Sequence, residues 1–429
     1  LRRPEAAEHL GGKVLGISYD VAEDTLSYSI PLQFNLKGRP GHKKTVHLGL
    51  KEIQEIRSGE RSLSRREALS FCAGVYDPLG HIGPALLRGR LLLQRLHGAG
   101  GTWDSDMPVE ERVSWGDWFQ ELASETRINM ERTVRPKGAK GKPTLAGFSD
   151  ASKDAMCCTI YVVWEKEQGG RQASLLLAKT RVVPLQGTSV PRAEMQAVVM
   201  LVRLIMVALR AAAFTCKLVT SSTDSGCSVA ALRRTGSSLH PYFANRVAEI
   251  RHTLQEARKL AEQVEDVTHV PGAKNPADMG TRAGASLKDL GQGSVWQTGP
   301  AFLLQPRTEW PLVKSVPGCV PKEEVRAEGR GLAVSAAVSL PRSFLSMAQE
   351  SLQNATSWST AQGALARRLR ATFRQDRNMI QVEPLPRERE MAQQLQLLAS
   401  TPSALQALHQ GKTHQLGGLP GEAQKSCRD

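Results

Sequence analysis

The sequence has no C-x-x-C pair; its seven cysteines, Cys72, Cys157, Cys158, Cys216, Cys227, Cys319 and Cys427, are scattered. Zinc ribbons and fingers, which need ligands paired at short spacing, are unsupported. The odd count and mostly apolar surroundings point to reduced thiols and an intracellular protein. No run has the roughly 20 uninterrupted apolar residues that a membrane-crossing helix needs. The most apolar stretch, Ala197 to Ala213, carries Arg203 and Arg210 and reads as a buried helix, so no membrane partner is expected. Aromatic residues are scarce, at 5%, which leaves some segments few large side chains to pack. There is no signal-peptide pattern and no internal repeat, and the chain begins at Leu1 rather than Met, as a piece of a longer translation product would. Acidic charge is in deficit: 42 Asp and Glu stand against 56 Lys and Arg, a net charge of +14. That balance suits a polyanion, nucleic acid first, although solvated basic side chains alone would also produce it.

What is present reads as several regions, about two to four domains by length. Lys13–Tyr19 and Thr25–Ile30 are short alternating runs around a turn-rich Asp20–Asp24 link, a hairpin pattern. From Ser62 to about Leu96 the pattern turns helical, opened by the capping box Ser64-Arg-Arg-Glu67 and broken by a tight bend over Tyr76–Pro84. Trp103, Trp115 and Trp118 lie at helical spacing and read as packing residues. Pro136–Pro143, rich in Lys and Gly, reads as a linker. Beyond it, strand-like runs (Thr144–Ser149, Met156–Trp164, Ser174–Ala178, Cys216–Ser221, Val264–Val270) alternate with helices over Pro191 to about Ala213 and Tyr242–Ala261, as in an α/β domain. After about Pro311 the pattern weakens: 343–375 and 386–410 are helix-prone, and 411–429 reads as disordered.

Four acids fall at the expected ends of elements. Asp150 follows Leu145-Ala-Gly-Phe148, Glu194 lies in the first turn of the long helix, Asp224 ends the Lys217–Thr223 run, and Asp278 follows Asn275-Pro-Ala277. Carboxylates so placed converge at one sheet edge in many α/β sites. Brought together they repel unless a cation neutralises them. Mg²⁺ or Mn²⁺ favours hard oxygen ligands, and two such ions roughly 4 Å apart can promote phosphodiester cleavage. Taken singly, each acid is more often a cap or a surface charge.

The surrounding motifs carry a resemblance. Gly147-Phe-Ser-Asp-Ala-Ser152 is similar to the first catalytic strand of ribonuclease H domains in retroelement polyproteins. Ala178-Lys-Thr-Arg-Val-Val-Pro-Leu185, Val190-Pro-Arg-Ala-Glu-Met-Gln-Ala197, Ala244-Asn-Arg-Val-Ala-Glu-Ile250, Thr268-His-Val-Pro-Gly272 and Asn275-Pro-Ala-Asp278 resemble the BEL/Pao class of long-terminal-repeat retrotransposons. Val75-Tyr-Asp-Pro-Leu-Gly80 resembles that family's link from reverse transcriptase to ribonuclease H, Lys13-Val-Leu-Gly16 the tail of its polymerase, and Trp296–Pro300 and Trp310-Pro311 its exit from the nuclease. The resemblance covers about residues 10 to 311. It implies an α/β, ribonuclease H-like mixed sheet flanked by helices. The implied division is a β-rich reverse transcriptase tail (1–60), a helical connection (61–135), the nuclease domain (144–285), an exit segment (286–311) and a helical, partly disordered tail (312–429).

It also implies a reaction: two-metal cleavage of the RNA strand of an RNA–DNA hybrid, with Asp150, Glu194, Asp224 and Asp278 as ligands of two Mg²⁺ or Mn²⁺ ions. Ser149, Ser152, Arg192 and Asn275 are its candidate contacts to the nucleic-acid backbone, and His269 a candidate accessory for proton transfer or product release. The implied partners are hybrid or other nucleic acid and a reverse transcriptase upstream in a longer polyprotein, in cytoplasmic particles or the nucleus. Two departures matter. There is no Tyr-x-Asp-Asp polymerase motif and no His-His-Cys-Cys integrase module, so a catalytically inactive nucleic-acid-binding remnant is the alternative. Ser221-Ser-Thr-Asp-Ser-Gly-Cys227 carries an unusual Gly-Cys pair, and Asp224-Ser-Gly226 is also the short signature of an aspartic protease, which would need a flap and a second copy.

Overall fold

The computed structural model describes residues 13–14, 17–37, 43–98, 100–125, 127–185, 188–212, 214–234, 238–313 and 320–325. They lie in one unit, Leu1–Arg326. The expected helical segments 343–375 and 386–410 and the tail 411–429 fall outside the described residues.

The chain opens with antiparallel strands β1 (Lys13–Val14), β2 (Ile17–Asp20) and β3 (Thr25–Ser29). The hairpin between β2 and β3 is the expected one: the Asp20 carboxylate accepts the N–H groups of Ala22 and Glu23 and so closes the turn. A second hairpin, β4 (Gln33–Lys37) with β5 (Lys43–His47), and the helix α1 (Leu50–Ser58) follow. Both lie in a segment expected to be simply β-rich. Helices α2 (Arg65–Gly74), α3 (Gly83–Gly98) and α4 (Val109–Ser124) come next, and β6 (Arg127–Glu131) returns to pair with β3.

The box at Ser64 is realised. The Ser64 N–H donates to Glu67 Oε2 at 2.8 Å, and the Glu67 N–H donates to Ser64 Oγ at 3.3 Å. The Tyr76–Pro84 bend separates α2 from α3; there the Asp77 carboxylate accepts the N–H groups of His81 (2.8 Å) and Ile82 (3.2 Å). Burial pushes the Asp77 carboxyl up to about 6. Trp115 and Trp118 are buried and meet edge-on; Trp118 also meets Phe71 edge-on, and both lie tilted against Phe119. Trp103 departs from that expectation: it is 45% exposed and rests against His97.

A mixed sheet forms the body. β7 (Ala139–Ala151), β8 (Ala155–Lys166) and β9 (Arg171–Val182) are antiparallel. After α5 (Val190–Ala211), β10 (Cys216–Thr223) lies parallel to β7. Helices α6 (Gly226–Ala231) and α7 (Pro241–Ala257) lead to β11 (Ala261–Val264) and β12 (Thr268–His269), both parallel to β10. The spatial order is β11-β10-β7-β8-β9. Two short strands thus replace the single one expected over Val264–Val270. Short turns of 3₁₀ helix and α8 (Val295–Thr298) complete the described body.

β8 reads as a nearly continuous apolar run because both faces of the sheet are covered. Leu145, Ile160, Val162 and Trp164 join a core with α5 and α7. Ala146, Phe148, Tyr161 and Val163 join a second core, which holds Leu92, Trp115 and Phe119 from the upstream helices and Trp296, Leu303 and Trp310 from downstream. Each large apolar side chain so buried contributes roughly 1.5–3 kcal/mol. The upstream helices are therefore the second layer of the sheet. Pro136–Pro143 is not a linker: β7 begins inside it at Ala139, and a register shift between Lys140 and Thr144 absorbs its irregular composition.

Candidate active site

Parallel pairing of β7 with β10 sets two acids side by side. Ser149 pairs with Thr223 at the end of the ladder, and the next residue on each strand is an acid, Asp150 and Asp224. They are near enough for each to shift the acidity of the other. Glu194 comes from α5, entered through Ser189 as N-cap and Pro191 in the first turn. Asp278 comes from the 3₁₀ turn Pro276–Gly280, which Asn275 caps by accepting the Ala277 N–H at 3.2 Å.

The four acids feel one another. The carboxyls of Asp150 and Glu194 are raised, first by burial; Asp278 adds to the shift of Asp150, and Asp150 to that of Glu194. Asp224 is pushed up to about 7 by burial, by Asp150 and by Glu194. Individual hydroxyls hold them in place. Ser225 donates to Glu194 Oε2 at 2.6 Å while its oxygen accepts the Ser228 N–H, so one residue caps α6 and orients an acid on α5. Thr281 donates to Asp150 Oδ2. Gly272 leaves room for Asp224, since a methyl group there would sit 3.2 Å from Oδ2. Asp278 pairs with Arg282, whose Nε lies 2.8–2.9 Å from its two oxygens.

A divalent cation fits this set by donor chemistry. Four carboxylates supply hard oxygen donors, burial and then neighbouring charge hold Asp150, Glu194 and Asp224 less acidic than usual, and among the described residues Arg282 is the one cation within 4.0 Å of any of the four. As they stand, no three His, Cys, Asp or Glu side chains among the described residues are arranged to hold an ion. Glu194 is turned to Ser225 and Asp278 to Arg282.

Each of the four candidate backbone contacts has a partner within the protein. Ser149 is fully buried, its hydroxyl on the Ser222 carbonyl, so no strand in solvent can reach it. Asn275 is 5% exposed and its amide donates to the Ser149 carbonyl at 3.0 Å. The Ser152 hydroxyl accepts the N–H groups of Asp154 and Ala155 and donates to the Thr281 carbonyl at 3.1 Å. Arg192 pairs with the buried Glu324 and lies over the Tyr242 ring. It is two residues from Glu194, so the two side chains leave α5 on different faces. Asn275, Thr281 and Ser152 together fasten the loop bearing Asp278 to the strand bearing Asp150. His269 Nε2 lies 3.1 Å from the Asp224 backbone carbonyl; a carbonyl only accepts, so that nitrogen carries the hydrogen and steadies the main chain rather than the carboxylate.

Sequence reasoning missed Ser225, Thr281, Gly280 and Arg282. Ser225 alone had a signal, a capping residue ahead of a short helix. The Asp224-Ser-Gly226 motif is the junction of β10 and α6.

Residues 64–225 match the family model described as a Pao retrotransposon-like RNaseH-like domain. Similar solved structures include RNase H1 from the halophilic archaeon Halobacterium salinarum NRC-1 (14% identity, 32% of this chain and 91% of that one, TM-score 0.21). They also include LC11-RNase H1 isolated from compost (21%, 33% and 93%, TM-score 0.23). A third is the N-terminal RNase H domain of rv2228c from Mycobacterium tuberculosis, a fusion with maltose-binding protein (12%, 32% and 92%, TM-score 0.22). No curated protein matches the sequence. The region from the Ser64 cap of α2 through Asp150, Glu194 and Asp224 is thus similar to Pao retrotransposon-like RNaseH-like domains.

Proposed function

We propose that this chain is a retroelement-derived nuclease that cleaves the RNA strand of RNA–DNA hybrids, with Asp150, Glu194, Asp224 and Asp278 holding Mg²⁺ or Mn²⁺. The observation that carries this reading is the convergence of four acids from four separate elements, each raised or paired, at the carboxyl ends of two parallel strands. The net charge of +14 supports a polyanionic substrate. Divalent ions held there would lower the pKa of water and offset charge on a phosphodiester. Ser225 and Thr281 each hold one oxygen of Glu194 and Asp150 by a single hydrogen bond, which a cation would have to work around or displace. The Asn275–Thr281 loop fixes the spacing of the first and last acids. An upstream reverse transcriptase would deliver the hybrid.

The test is cleavage of a labelled RNA–DNA hybrid with Mg²⁺. Asp150→Asn, Glu194→Gln, Asp224→Asn and Asp278→Asn should each lower the rate on the order of 10³-fold or more. A folded wild-type protein that leaves the hybrid intact overturns the reading and leaves the binding-only remnant. The protease chemistry of Asp224-Ser-Gly226 would instead appear as peptide cleavage that survives Glu194→Gln and Asp278→Asn but not Asp224→Asn.

A pH dependence follows from the crowding. Raised carboxyls keep a proton in the folded protein that they lose when unfolded, so the cation-free protein becomes less stable as pH rises from about 4 through about 7. A divalent cation needs the deprotonated acids, so its affinity should climb over the last part of that window and flatten above it. Calorimetric titration with Mn²⁺ at pH 6, 7 and 8 checks this; equal affinity at all three pH values would refute it.

A further inference from the structure

Arg282 is 75% exposed and Asp278 36% exposed, and their contact spans four residues across the end of the 3₁₀ turn. Exposed pairs of this kind are weak and open readily. Only Nε of the guanidinium engages the protein among the described residues; its remaining N–H donors face solvent. Arg282 and Asp278 share the wall of a pocket of about 660 Å³ with Gly272, Asn275, Asp289 and Trp296. Of the four acids Asp278 lines this pocket, and a side chain on Gly272, in the same wall, would reach the Asp224 carboxylate. A planar guanidinium fork suits a phosphate, which it can grip through two parallel N–H donors.

We propose that Arg282 is an exchangeable counter-ion and a substrate-binding residue. It neutralises Asp278 while no divalent cation is present. When a cation takes Asp278, Arg282 is released onto a phosphate of the nucleic-acid strand lying in the adjacent pocket. The inference rests on the reading of the four acids as cation ligands. It adds a coupling: cation and phosphate binding assist each other through one side chain.

Arg282→Gln separates this role from a structural one, because the two binding reactions should move in opposite directions. Calorimetry with Mn²⁺ alone, without nucleic acid, should show the variant binding up to about five-fold more tightly, since the competing guanidinium is gone. Hybrid affinity, read with Ca²⁺ in place of Mg²⁺ to leave the strand intact, should fall about ten-fold, and the dependence on salt should weaken by about one phosphate contact. In EDTA, where Arg282 stays on Asp278, wild type and variant should bind the hybrid equally within about two-fold. Arg282→Lys should recover part of the hybrid affinity, through its charge without the fork. Weaker Mn²⁺ binding by Arg282→Gln, or the same loss of hybrid affinity in EDTA as in Ca²⁺, overturns the proposal. A wild-type protein that binds neither Mn²⁺ nor hybrid instead overturns the reading of the acids beneath it.

Discussion

Gly80→Ala should lower the melting temperature by on the order of 5–10 °C and free the edge of the main sheet. A methyl group at Gly80 would lie 1.8 Å from the carbonyl oxygen of Ala178 and 2.4 Å from its carbon, and backbone atoms in a strand cannot step aside. Gly80 also has φ 77°, a left-handed conformation that costs other residues roughly 1–2 kcal/mol. The contact matters because β9 is the sheet edge. Its outward polar groups are met by the upstream segment: the Ala178 N–H donates to the Leu79 carbonyl at 2.8 Å, Arg90 donates to the Thr180 carbonyl and Gln94 to the Val183 carbonyl. Displacing the bend puts several of these bonds at risk, each worth about 0.5–1.5 kcal/mol, on top of overpacking of about 1–3 kcal/mol. A total near 3 kcal/mol gives the stated shift. Gly138→Ala is the matched control. Gly138 has φ 71° but nothing within 4 Å, so it should carry only the backbone cost. Thermal melts of the two variants decide the matter; equal losses would show that the close approach to Ala178 is not what requires glycine. Hydrogen exchange at the Ala178 amide should accelerate only in Gly80→Ala.

The elements that sequence alone made legible are those governed by neighbouring residues. Ser64 and Glu67 cap α2 through each other, the Pro and Gly residues between Tyr76 and Pro84 make the bend, and Pro191 starts α5. What could not be read depends on partners far along the chain. Pro136–Pro143 has the composition of a linker, yet its second half is drawn into β7 because Ala139 and Lys140 find Lys166 and Glu165 on β8. Strand β6 has only five residues and exists as a strand because β3, about a hundred positions earlier, offers it a ladder. The candidate site divides the same way. The four acids stand out through the ordered family-like motifs around them, since a lone carboxylate at a strand end or helix start is more often a cap or a surface charge. The roles of Ser149, Ser152, Arg192 and Asn275 do not, because a short polar side chain serves whatever donor or acceptor the tertiary fold brings near. Here those partners are Ser222, Thr281, Glu324 and Ser149. Thr281 was invisible for the same reason, since its partner Asp150 is 131 residues away.

That long-range fastening makes Gly280 the position where one substitution should most disturb the site without touching an acid. Gly280 is buried, and a methyl group there would meet Cys157 Sγ at 2.2 Å, Cys157 Cβ at 2.8 Å and Thr180 Oγ1 at 3.2 Å. Its φ is not in the left-handed region, so space rather than backbone conformation demands glycine. Cys157 is the cross-strand neighbour of Asp150 on β8. Gly280 thus lets the turn bearing Asp278 press onto the strand pair bearing Asp150, and Thr281, the next residue, completes the link by donating to Asp150. A valine at 280 must push the turn outward by about the depth of the overlap, roughly 1 Å, and a misplacement of that size costs catalysis about 10²-fold. Gly280→Val should therefore lower hybrid cleavage about a hundred-fold. Cys157→Ala alone should cleave like the wild type, because burial pushes that thiol up to about 12 and leaves it chemically inert. Gly280→Ala should fall between wild type and Gly280→Val. Adding Cys157→Ala to it removes the 2.2 Å clash and should restore part of the loss; the remaining 2.8 Å contact with Cβ keeps the recovery incomplete. Cleavage rates of the four variants at saturating Mg²⁺ measure this. If Gly280→Val cuts as fast as the wild type, the seating of the turn on Cys157 does not set the distance between the first and last acids.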